Sequence, residues 1–65
     1  MDSFELAWKV IDYFQKDYAS KADMIDELGN LDELALEISS AIEELELTEE
    51  NDIQFIAIQV EMKLF

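Results

Sequence analysis

Apolar residues fall along this chain in a helical rhythm. Phe4, Ala7, Trp8, Ile11, Phe14 and Tyr18 recur at i, i+3, i+4, i+7, i+10 and i+14, the spacing of one helical face. Leu6, Val10 and Tyr13 lie beside that stripe, and at ~100° per residue the apolar arc widens to roughly 220°. Asp2 or Ser3 is placed to cap this helix, and Asp2 with Glu5 has capping-box spacing. A helix on the edge of a core needs a far narrower stripe. The surplus is therefore expected to be buried by a large part of the remaining chain or by a second copy.

A short second helix is predicted from Lys21 to Leu28, with Ser20 as N-cap and Gly29 just past its end. Asn30 and Glu33 then have capping-box spacing for a third helix running to about Glu46. Its apolar face is narrow: Leu34, Ala35, Ile38, Ala41, Ile42 and Leu45. Glu33, Glu37 and Glu44 occupy the opposite side, which gives this helix an acidic back.

The last segment carries two patterns at once. Leu47-Thr48-Glu49-Glu50-Asn51 reads as a helix start, with Thr48 capping and acids in the first turn. Ile53, Ile56, Ala57, Val60 and Leu64 continue at helical spacing. Yet Ile56, Ile58, Val60, Met62 and Leu64 also alternate as the inner face of a strand would. A lone strand needs a pairing partner, and no other segment reads as one, so a helix is favoured over a strand for Ile56–Leu64. Such a helix has Phe55, Ile58 and Met62 opposite Ile53, Ala57 and Val60, and so must be covered on both sides. The expected fold is all-α: one small domain of three to four helices spanning residues 1–65.

Composition sharpens this picture. The chain has no Pro and one Gly, too few turn formers for a many-stranded sheet. An apolar fraction of 51% and an aromatic fraction of 11% mark a folded protein, not an acidic tail. At 65 residues a single core rarely supplies more than ~3–5 kcal/mol without a disulfide, a metal or a partner subunit. With no Cys and no His, self-association is the expected support, and a homodimer is predicted. Leu6, Val10, Tyr13, Phe55, Ile58 and Met62 are its candidate contact residues. Residues 1–20 lack the basic start and continuous apolar stretch of a signal peptide, and no apolar run approaches ~20 residues. The expected location is cytoplasmic, with no membrane contact.

Charge is the strongest functional signal. Seventeen Asp and Glu face four Lys, and the formal net charge is −13. Between Ala22 and Met62 there are 13 carboxylates and no cation. Direct nucleic-acid binding is excluded, because cations are needed to replace phosphate counterions. Carboxylate pairs suited to acid–base chemistry lie on helix backs with no His beside them. Ser3, Ser20, Ser39 and Ser40 have no base to activate them, and no enzyme activity or cofactor is expected. Asp23, Asp26 and Glu27, or Glu49, Glu50 and Asp52, supply oxygen ligands, but neither stretch follows the twelve-residue EF-hand pattern, so no metal site is expected.

The remaining candidate is a basic protein partner. A globule of this length has a diameter of roughly 28 Å, and that length of duplex DNA carries about 16 phosphate charges. The chain's charge is of that order. It is expected to act as a stoichiometric inhibitor or regulator that binds a basic protein through its acidic helical surface, with a DNA mimic that occupies a nucleic-acid-binding protein as one form of that binding. The residues assigned to that surface are Asp26, Glu27, Glu33, Glu37, Glu44, Glu49 and Glu50. The alternative is a structural or assembly module, antitoxin and immunity-type proteins included, whose charge serves only solubility.

Overall fold

The computed structural model describes residues 2–65. Four helices follow in order: α1 (Ser3–Gln15), α2 (Lys21–Leu28), α3 (Leu31–Glu44) and α4 (Ile53–Leu64), with no strand among the described residues. The fold is all-α, and Ile56–Leu64 is helical. The strand-like alternation in that segment arises because α4 is apolar on two sides.

Local chemistry explains the first three starts. Asp2 caps α1 by accepting from the Glu5 N–H at 2.8 Å. Ser20 caps α2 through the Asp23 N–H at 3.2 Å. Asn30 caps α3 by accepting from both the Asp32 and Glu33 N–H groups, at 2.8 and 3.3 Å. Each side chain satisfies donors that the first helical turn leaves without a backbone partner. Gly29 separates α2 from α3 at φ 84° and ψ −145°, a backbone region open essentially to glycine alone.

The end of α3 departs from the sequence reading. The helix stops at Glu44, and Glu46 takes a left-handed φ of 56°. The Leu47 N–H reaches the Ile42 carbonyl at 3.0 Å, and the Glu46 N–H reaches the Glu43 carbonyl at 3.1 Å. These two bonds make a Schellman motif with Glu where Gly is usual. Glu46→Gly removes the steric cost of left-handed backbone at the expense of extra unfolded-state freedom. A net gain of about 0.5–1 kcal/mol is expected, seen as a rise of a few degrees in Tm. A fall in Tm would mean that the Glu46 side chain contributes more than its backbone conformation costs.

The start of α4 is a second correction. Thr48 does not cap a helix. Its N–H donates to Asn51 Oδ1 at 2.9 Å, its Oγ1 accepts from the Glu50 N–H at 3.3 Å, and its carbonyl accepts from the Asn51 N–H at 3.0 Å. The stretch closes on itself as a turn, and α4 begins five residues further on, with Asp52 as an N-cap that makes no side-chain capping bond.

The core is built mainly by α1, α3 and α4. Helix α1 packs on both α3 and α4, and α2 lies against α3 and contributes Met24. That double contact disposes of the wide arc of α1. Leu6, Ala7, Val10, Ile11 and Phe14 are all buried within one chain. Leu6 and Val10, placed by the sequence at a self-association surface, instead point into this core, and Tyr13 lies half-buried at its margin. On α3 the buried set is Leu31, Leu34, Ala35, Ile38, Ala41 and Ile42, whereas Leu45 lies past the helix end and is exposed. Helix α4 buries Ile56, Ala57 and Val60 and leaves Phe55, Ile58 and Met62 outside.

Candidate interaction surface

All 17 carboxylates are exposed, and no polar or charged side chain is buried among the described residues. The fold thus keeps every acid in water, avoiding the several kcal/mol that an unpaired buried charge costs. On α3, Glu33, Glu37 and Glu44 fall within about 40° of one another at ~100° per residue, and Ser40 lies about 20° beyond that arc. Leu36 lies at its edge and is 62% exposed, an apolar side chain beside the acidic stripe. Glu44 is bridged by Lys63 of α4 at 2.8 Å, so part of its charge is neutralised within the chain.

The other assigned acids lie apart from this stripe. Glu49 and Glu50 border a hollow at the N-terminal end of α1, together with Asp2 and Glu43. Glu27 borders a second hollow at the opposite end of α1, about 18 Å away along its axis. Asp26 is exposed on α2 beside Glu27. The seven residues therefore form one stripe and two end clusters, not a single patch. Among the described residues, no group of three or more acids is arranged to hold a metal ion.

The hollow beside Glu27 was not legible in the sequence. It is lined by the turn after α1, the last turn of α2 and the end of α4, including Asp17, Tyr18 and Glu61. The Tyr18 hydroxyl lies close enough to Glu27 to feel both its charge and its hydrogen-bonding capacity. Partial burial, then the charge of Glu27, hydrogen bonding toward it and the charges of Asp17 and Glu61 together raise the Tyr18 pKa above the ordinary tyrosine value. A phenol whose folded pKa is raised contributes stability that is fully present below the unfolded pKa of about 10 and is lost as pH rises through the folded value. The stability gap between the protein and Tyr18→Phe is thus expected to be constant from pH 7 to 9 and to shrink above pH 10, read by urea unfolding. A gap that widens above pH 10 would contradict this arrangement.

The fold and surface define a small four-helix protein whose acids are all exposed, the seven assigned ones in one stripe and two end clusters. The chain matches no family model, and neither the curated proteins nor the solved structures yield a match. No described helix is long and apolar enough to cross a membrane.

Proposed function

We propose that this protein is a stoichiometric binder of a basic protein, acting through its acidic helical surface to inhibit or regulate that partner. The observation that supports this most strongly is the exposure of all 17 carboxylates on a body 30 Å long. Duplex DNA of that length carries about 18 phosphate charges at one per ~1.7 Å. The net charge of −13 is about 70% of that figure, a density that suits occupation of a cleft that otherwise takes nucleic acid. The acidic field accelerates encounter, and exposed apolar side chains such as Leu36 slow release. The test is capture of a partner from host lysate on the immobilised protein at low salt, followed by a wash with duplex DNA. Release of a basic protein by the DNA is expected. Retention through both the DNA and about 0.5 M salt would overturn the proposal.

A second copy of the chain is the proposed occupant of the outer face of α4. Phe55, Ile58 and Met62 stand there at i, i+3 and i+7, and Met62 is 75% exposed. This helix holds one acid and one Lys, so two copies meet there with less repulsion than at any other helix of this chain. That stripe also favours the second reading, an assembly module whose charge serves solubility. Light scattering is expected to give a mass near twice 7.6 kDa, reduced to that of one chain by Ile58→Glu. A single-chain mass for the unmutated protein would show that the stripe is not a dimer contact.

A further inference from the structure

We infer that the hollow where the C-terminal ends of α1, α2 and α4 meet is a socket for one arginine side chain of a basic protein partner. The inference rests on the proposed binding of a basic protein and names the anchor that such a partner would insert.

The size of the hollow fits that anchor. At about 240 Å³ it lies below the ~300–1,000 Å³ of sites for drug-sized ligands. Its walls include Phe14, Tyr18 and Phe65, and its acids are Asp17, Glu27 and Glu61. Aromatic rings and carboxylates together suit a weakly hydrated planar cation, which packs on rings while donating to oxygens. The three carboxylates are not grouped as ligands of a metal ion. A guanidinium with five donors in a fixed fork can span separated acceptors, whereas a lysine ammonium is a compact point charge.

Helix polarity adds an independent reason. The end of each of these helices carries partial negative charge, which favours a cation there and disfavours an acid. Asp17 follows α1, Glu27 is in the last turn of α2, and Glu61 is in the last turn of α4. Neither α1 nor α2 has a basic residue in its last turn. The Lys16 ammonium lies 3.6 Å from the centre of the Tyr13 ring, and Lys63 pairs with Glu44. Neither lysine lines the hollow. Asp17, Glu27 and Glu61 thus sit where helix polarity disfavours acids, while the lysines at those ends, Lys16 as the C-cap of α1 and Lys63 in the last turn of α4, are engaged elsewhere. A guanidinium from outside relieves that repulsion.

The test titrates the full chain with N-acetyl-Gly-Arg-Gly-amide and follows backbone amides by NMR. The same peptide with Lys, and with neutral citrulline, provides the comparison. Saturable shifts confined to the segments around Asp17–Tyr18, Glu27 and Glu61–Phe65 are expected with the arginine peptide, weaker ones with lysine and none with citrulline. Glu61→Gln should weaken arginine binding about fivefold, and Glu5→Gln, an equal charge change at the far end of α1, should leave it unchanged. Equal binding of arginine and lysine, shifts spread along α3, or equal effects of the two variants would each overturn the socket. If the peptide fails to bind while a captured partner still responds to changes on α3, the socket alone is wrong. If the peptide binds as expected and no basic protein is captured, the socket stands and the proposed partner class is wrong.

Discussion

Glu33→Lys, Glu37→Lys and Glu50→Lys combined are expected to slow association with a basic partner by about 10- to 100-fold. The change moves the net charge from −13 to −7 and leaves every buried position untouched. Electrostatic steering raises association rates by roughly 10–10³, and it depends on the summed field more than on any one contact. Glu44 is left in place because its bridge to Lys63 ties α3 to α4, and a lysine there would face Lys63 directly. The fold should survive: Asn30 caps α3 through the backbone of Glu33, not its side chain. Loss of the acid in that first turn costs about 0.3–1 kcal/mol. Surface plasmon resonance separates the rates. A large change in dissociation with association unaltered would place these residues in close contact and not in steering.

Ile38→Ala is expected to abolish cooperative folding at room temperature. Ile38 is fully buried on the face of α3 that packs against α1 and α4. Removing its side chain costs about 2–5 kcal/mol through lost transfer energy and an incompletely collapsed cavity. That range meets the ~3–5 kcal/mol that one core of this size supplies. Met62→Ala, on the outer face of α4, should change the stability of the single chain by no more than about 0.5 kcal/mol. Thermal melts followed by circular dichroism, at a concentration where single chains predominate, give the comparison. A cooperative melt in Ile38→Ala close to that of the unmutated protein would show that α3 contributes much less to the core than its burial implies.

Helix α2 was legible to the residue because both of its boundaries are local signals. Ser20 supplies a capping oxygen and Gly29 a backbone that other residues avoid. The acidic face of α3 was equally legible, since a 3.6-residue period alone puts Glu33, Glu37 and Glu44 together. Thr48 misled for the same local reason. A hydroxyl followed by acids can start a helix, but it can also close a turn with Asn51, and only the position of Leu47 against the core decides which. Glu46 gives no sequence sign of its left-handed backbone. The breadth of the α1 stripe was read correctly as a demand for cover. It did not reveal that α3 and α4 would both supply that cover, which removed Leu6 and Val10 from any outer surface. The socket was invisible in the sequence because Asp17, Glu27 and Glu61 come together only through tertiary packing.

The dependence of association rate on ionic strength tests the proposed function most directly. A captured basic partner is passed over the immobilised protein from about 0.05 to 0.5 M salt, a range over which the screening length falls from beyond 10 Å to a few ångströms. The association rate constant should fall at least about tenfold while the dissociation rate constant changes little. An association rate that stays constant across that range would contradict recognition by the acidic surface.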